Sequence, residues 1–288
     1  MFPPHPFFRV LIAGILLLIG TSSYATQARS GTIRYECVGP DQFLITLELM
    51  EDCIGFPLPA MFRNVWFSPS SNACNNGIPF SVSLPWVSTT ENSQLCTTSL
   101  PNSACVGGTF PGTQILIFQG VVDLGDPNLT STPHCSPWII TWSELERDLT
   151  NVNIQVAPGG EDVVFRSEMD NGAFACNNSV IFAAPPSPTV CSGMDFSYDP
   201  GAYDPDGDSL VFSLVSSLKE GPITGTPFTY SAPYTAQIPM NGAQIDSRTG
   251  AFSYKPSTAG NYVVAIAADE YENGTWKGRT TYDFVVNV

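Results

Sequence analysis

The sequence predicts an all-β protein of two β-sandwich domains, and three observations carry that prediction. Short stretches alternate apolar and polar residues, as in Phe43, Ile45, Leu47 and Leu49, which share one face of a strand. Clusters of Asn, Ser, Gly and Pro punctuate them along the whole chain. The composition then breaks at Ala183-Ala184-Pro185-Pro186-Ser187-Pro188, a stretch that favours extended, unpaired backbone and suits a linker. The expected division is a first domain over 26–184 and a second over 185–288.

In the first domain the pattern predicts strands at Thr32 to Glu36, Phe43 to Leu49, Asn64 to Phe67, Phe80 to Leu84, Gln114 to Val122, Trp138 to Trp142, Val152 to Val156 and Val163 to Phe165. Gly39-Pro40-Asp41 reads as a turn. Ser143 and Glu146 have capping-box spacing, which predicts a helical turn or two over Ser143 to Leu149. The second domain should hold strands at Asp195 to Tyr198, Leu210 to Leu218, Phe228 to Tyr230, Ala251 to Tyr254, Asn261 to Asp269 and Thr280 to Val288, a count and spacing that fit an immunoglobulin-like sandwich. In the last of these Tyr282, Phe284, Val286 and Val288 make a core face, with a mixed face behind it. Asn273-Gly274 between the last two strands is a hairpin turn.

Residues 1–25 read as an export signal, with Arg9 as the positive region, Val10 to Ile19 as the apolar core and Ser23-Tyr24-Ala25 as the cleavage site. The mature chain should begin at Thr26 and be secreted or displayed at the cell surface. The apolar run is about half the roughly twenty residues a membrane span needs, so no transmembrane segment is expected after processing. With 11 Lys plus Arg against 26 Asp plus Glu, the chain carries a formal charge of −15, which excludes nucleic acid as a partner and suits divalent cations or neutral ligands. All eight cysteines follow the cleavage site, and an even number in an exported chain points to disulfides. No two are spaced as zinc ligands usually are. Proximity in sequence suggests the pairs Cys96 with Cys105 and Cys176 with Cys191.

Asp204-Pro205-Asp206-Gly207-Asp208 places three carboxylates within five residues, which calls for a counter-charge. Ca²⁺ takes roughly six to eight oxygen ligands, and Pro205 and Gly207 supply a bend that lets the acids converge. The plainer reading is an Asp-Gly turn whose acids face water. Spacing excludes an EF-hand, because the loop's required Gly and bidentate Glu would fall on Ser209 and Val215.

Together with Ile245 to Gly250, Gly260 to Val264 and Ala268 to Tyr271, this loop resembles the cadherin-like and putative-immunoglobulin modules of bacterial surface proteins. Upstream, Ile33 to Cys37, Leu49 to Cys53, Leu100 to Gly112, Cys135 to Trp138 and Cys176 to Ser179 resemble the N-terminal region of large secreted proteins of gliding, Bacteroidetes-type bacteria. In those proteins the region precedes tandem immunoglobulin-like or PKD-type repeats. The chain departs from that pattern at Ser143 to Asn151, where a further cysteine would be expected, and it ends at Val288 without a sorting module. The resemblance implies Ca²⁺ at one pole of the second domain, held by Asp204, Asp206, Asp208 and Asp269, with Asp246 and Glu270 as secondary candidates. Asp246 also suits a purely turn-forming role before Gly250.

Chemistry by a Cys-His pair would need a free thiol, and His134 stands directly beside Cys135, where neighbours in an extended segment point opposite ways. No nucleophile elbow, zinc-protease motif or phosphate loop is present. The expected function is therefore a non-enzymatic, Ca²⁺-stiffened surface or adhesion module that meets a surface polymer or protein ligand, with further tandem β domains possible in a longer chain. The alternative is a carbohydrate-binding module. Of the five tryptophans, Trp138 and Trp142 share parity with Ile140 and read as core, whereas Trp86 and Trp276 are freer to stack on a sugar.

Overall fold

The computed structural model describes residues 28–53, 61–147, 150–158, 160–185, 189–220, 223 and 225–288. The expected signal at 1–25, the start of the mature chain at Thr26 and the linker residues Pro186 to Pro188 lie outside them. The described chain is all-β, as the alternating pattern predicts. Its first strands are β1 (Ala28–Gly39), β2 (Gln42–Asp52), β3 (Phe62–Pro69), β4 (Phe80–Glu91), β5 (Thr113–Asp123), β6 (Trp138–Glu146) and β7 (Asp162–Met169). The short strands that follow are β8 (Ile181–Phe182), β9 (Phe196–Tyr198) and β10 (Ala202–Tyr203). Next come β11 (Ser209–Val215), β12 (Leu218–Lys219), β13 (Thr226–Pro227), β14 (Gln244–Ile245) and β15 (Phe252–Tyr254). The chain closes with the two longest strands of its second half, β16 (Asn261–Glu272) and β17 (Thr275–Asn287).

Two hydrophobic clusters follow from the apolar faces. The first is drawn from β1 to β7 and is centred on Trp138, Trp142, Phe165, Phe67 and Phe118, all shielded from solvent. Trp142 stacks on Phe165 with ring centres 5.6 Å apart. The second is drawn from residues 180–286, with Tyr282, Phe284 and Val286 of β17 facing Phe212, Phe252 and Tyr198. The expected division at Ala184 thus falls near a division between clusters, but it does not divide the sheet. Antiparallel pairing runs in the order β11-β16-β17-β1-β2-β5-β4-β3-β6-β7-β12-β13, so one twelve-stranded sheet includes strands from both halves.

β17 is the reason. One of its edges pairs with β16 along its whole length, from Asn287 opposite Asn261 to Thr275 opposite Glu272. Its other edge meets two strands of the first half: Gly278 to Thr280 pair with Met169 to Ser167 of β7, and Tyr282 to Phe284 pair with Thr32 to Ser30 of β1. β1 and β7 are the two ends of the seven-stranded run β1-β2-β5-β4-β3-β6-β7, which curls until they lie side by side. The Ser167 hydroxyl donates to the Ile33 carbonyl and the Tyr35 hydroxyl to that of Glu168. β17 is laid along this seam, satisfying backbone groups that would otherwise form two open edges.

The close approach is marked by two glycines. A Cβ on Gly31 would lie 2.1 Å from the Phe165 ring, and one on Gly278 would lie 2.3 Å from Tyr35 Oη and 2.8 Å from the Glu168 carbonyl oxygen. The far face of β17, expected to be mixed, is buried as well. Val285 and Val263 pack with Ile154 and Phe228 in a third small cluster. Asp283 is bound there by Arg147 Nη2 at 2.5 Å and by the Ser217 hydroxyl. Arg147 also donates to Ser217 Oγ at 3.1 Å, and its side chain has no exposed surface.

Four local expectations are corrected. The helical turn at Ser143 to Leu149 is absent over its described residues, because β6 continues to Glu146 and Arg147 bonds to the Glu161 carbonyl; Asp148 and Leu149 lie outside the described residues. Val152 to Val156 and Phe228 to Tyr230 are not strands but meet through one isolated bridge, Ile154 to Tyr230. The disulfides are Cys37–Cys176, Cys53–Cys105 and Cys74–Cys135, leaving Cys96 and Cys191 free, so the pairs suggested by sequence proximity do not form. Strand register decides instead: β2 pairs with β5 up to Asp52 opposite Thr113, which carries Cys53 to the loop before β5. By contrast the Asn273-Gly274 turn joins β16 to β17, with φ of 49° and 80° at the two residues.

Candidate metal centre at the acidic loop

The loop between β10 and β11 is built by Asp204. Its Oδ1 accepts the N–H groups of Asp206 at 2.8 Å and Asp208 at 3.1 Å, while the Gly207 N–H reaches back to the Asp204 carbonyl. Gly207 sits at φ 84°, left-handed backbone that a side chain would strain. The loop thereby turns all three side chains to one side. One carboxylate oxygen from each of Asp204, Asp206 and Asp208 lies within 4.8 Å of the others. Asp204 Oδ2 is buried and has no hydrogen-bond partner among the described residues. Burial pushes the Asp204 carboxyl above its ordinary range, against the pull of the two amides, and the neighbouring carboxylates push it the same way.

The surroundings come from both halves of the chain. Asp206 accepts the Asn178 backbone N–H at 2.8 Å and its side-chain amide at 2.7 Å. Asn178 in turn accepts the Cys37 N–H at 2.9 Å, and the neighbouring Cys176 is disulfide-bonded to Cys37. On the other side Lys277 of β17 donates to Asp208 Oδ2 at 2.6 Å; the two side chains are 6% and 8% exposed. Burial alone would depress the Lys277 ammonium, but Asp208 holds it above the usual lysine value. Part of the counter-charge the three acids require is therefore built into the chain.

Asp269, the fourth residue expected at the metal, is not brought to the loop. Arg279 holds its two oxygens at 2.8 and 2.7 Å, and the Trp276 indole donates to it at 2.9 Å. Neighbouring residues on a strand point to opposite faces, and on β16 it is Glu270 that points towards the acidic loop. Glu270 is completely buried and accepts from the Asn177 side chain at 2.8 Å and the Val180 N–H at 3.1 Å. Burial lifts its carboxyl to about 8, against those two hydrogen bonds, with the charge of Asp204 adding to the rise. Asp246 forms its turn, accepting the N–H groups of Arg248 and Thr249.

The raised Glu270 carboxyl predicts a pH dependence. The folded chain keeps a proton that the unfolded chain releases near the ordinary value of 4.5, so this stabilisation is complete below that value and is lost as pH rises through about 8. In chelator, Glu270→Gln should lose less stability than wild type between pH 6 and pH 9, by roughly a few kcal/mol at most. Urea titrations at the two pH values measure the difference, and equal losses would contradict it.

Sequence reasoning missed Lys277, Asn177 and Asn178. Asn177-Asn178-Ser179 carries the signature of a surface loop, and only the fold shows that it packs on an acidic one. Lys277 had a fainter signal, as one of only 11 Lys plus Arg residues in the sequence. The tryptophans divide as follows: Trp138 and Trp142 are core, Trp276 is held by Asp269, and Trp86 is half exposed with its indole on Thr89. Cys135 is spent in a disulfide, and His134 pairs with Asp41 at 2.7 Å on the surface, so the two do not form a nucleophilic pair.

No family model, curated protein or solved structure matches this chain. Its class is therefore set by its own features: an all-β, disulfide-bonded protein whose halves share a strand. No helix among the described residues is long and apolar enough to cross a membrane.

Proposed function

We propose that the chain is an exported, non-enzymatic surface or adhesion module in which Ca²⁺ at Asp204, Asp206 and Asp208 stiffens the junction between its two halves. The observation that carries this reading is the convergence of the three carboxylates where Asn178 of the first half and Lys277 of β17 both attach. The donors are all oxygens, as a hard cation prefers, and Asp204 offers a buried oxygen with no partner among the described residues. Loop carbonyls can complete the shell, while Asn178 steadies Asp206 through its two N–H donors. Three disulfides accord with an oxidising, extracellular setting. The module's task is mechanical: a fixed angle between the halves lets it hold a surface polymer or protein ligand under load.

Lys277 sets the expected strength. An ammonium in contact with Asp208 opposes a second cation, which puts affinity near the millimolar end of the extracellular Ca²⁺ range. Wild type should melt at a higher temperature in several-millimolar Ca²⁺ than in chelator, gaining about 1.4 kcal/mol at ten times Kd. Asp206→Ala should lose that response whatever its own baseline. Identical melts of the wild type in Ca²⁺ and chelator would remove Ca²⁺ from the account.

Carbohydrate binding is a second reading, favoured by one observation. Trp86 is 50% exposed and donates its backbone N–H to the carbonyl of Met61, which is 81% exposed. A glycan array that lights up with wild type and goes dark with Trp86→Ala supports it, and a dark wild-type array favours protein contacts.

A further inference from the structure

We infer that Cys96 and Cys191 form a fourth disulfide in the exported protein, tying the loop after β4 to the segment that enters the second hydrophobic cluster. The two are the cysteines left after three bonds are made, and both are exposed. Sequence distance separates them widely, but the fold brings the segments that carry them into contact. The Gln94 side-chain carbonyl accepts the Thr189 backbone N–H at 2.8 Å, so each cysteine stands two residues beyond one end of the same hydrogen bond.

A second observation places both segments on one cavity. Gln94, Leu95, Thr189 and Asn287 all line one space of about 420 Å³. Thr189 is fixed there by a bridge to Asn287 of β17, and Val190 donates its N–H to the Asn287 carbonyl. The opposing loop is anchored by the Asn92 N–H on the Thr113 carbonyl and ends in a turn in which the Ser99 N–H reaches the Cys96 carbonyl. Two residues of extended chain reach about 7 Å. A disulfide needs Cα atoms roughly 4.4–6.8 Å apart, a separation within the reach of two-residue arms that leave a common hydrogen bond.

The bond forms by exchange with the disulfide of a thiol oxidase of the exporting compartment. One cysteine thiolate attacks that disulfide, the second cysteine displaces it from the mixed disulfide, and the oxidase leaves as its dithiol with the two electrons and two protons accounted for. The same reagent class makes the other three bonds.

The full exported chain is denatured without reductant, alkylated and digested with pepsin at acid pH to stop exchange. The expected result is no alkylated cysteine and a cross-linked peptide pair joining Cys96 to Cys191. Alkylation at both residues, or a Cys96–Cys96 link between two chains, would overturn the inference. As an independent readout, Cys96→Ser/Cys191→Ser should melt at a lower temperature than wild type under oxidising conditions. An unchanged melt would count against a bond that constrains the fold.

Discussion

Arg147→Met should destabilise the protein by about 3–5 kcal/mol, because it leaves the carboxylate of Asp283 buried without its cation. Arg147 stands at the end of β6 and Asp283 on β17, so this ion pair joins the two halves. Neither side chain has more than 3% of its surface exposed. Burial already pushes the Asp283 carboxyl above its ordinary range, with Arg147 and Ser217 pulling against it. Without the guanidinium the carboxyl rises further and takes up a proton. A carboxyl raised in the folded state stabilises at pH below its unfolded value and loses that contribution as pH climbs through the folded one. The variant should therefore be closer to wild type at pH 5 than at pH 8. Urea midpoints at both values check this, and a loss of under 1 kcal/mol at pH 8 would mean that the pair is dispensable.

The second large effect lies in the seam. Gly278→Val adds a branched side chain where a Cβ alone would press on Tyr35 of β1, on the Glu168 backbone of β7 and, at 3.3 Å, on Glu270 of β16. The Glu168 carbonyl is backbone inside a ladder and cannot move aside without breaking the pairing of Arg279 with Glu168. Overpacking typically costs about 1–3 kcal/mol, and this site should reach the upper end because three strands meet there. Gly274→Ala, in the hairpin turn four residues earlier, meets no atom within 4 Å and should cost less, arising only from its φ of 80°. Thermal melts of the two variants test the contrast, and equal losses would argue against a closed seam.

Much of the fold was legible because it depends on period. The alternation in Tyr282, Phe284 and Val286 assigned their face, and Asn273-Gly274 placed the final hairpin. The partner of a strand's second edge has no such signature. Nothing in the run from Thr275 to Asn287 says that it pairs with Ser167 and Thr32, more than a hundred positions away, so two sandwiches were expected where one sheet spans both halves. Gly31 and Gly278 gave no warning, because the alternation marks strands only from Thr32 and Thr280 onward, whereas β1 and β17 begin at Ala28 and Thr275. At the acidic loop the three aspartates could be read locally, but which of Asp269 and Glu270 faces them could not. A one-residue error in facing exchanges Asp269 for Glu270, and both are acidic neighbours in a strand buried on both faces. The disulfides failed for a related reason: the bonded pairs lie 52, 61 and 139 residues apart and are set by register.

The account as a whole rests on β17 belonging to both halves. Peptide-resolved native-state hydrogen exchange tests that most directly, by comparing the slowest amides of β1 and β7 with those of β16 and β17. A shared strand predicts one common opening free energy for all four, shifted together by Ca²⁺. Two distinct levels, with β1 and β7 exchanging while β16 and β17 stay protected, would show two independent domains and contradict it.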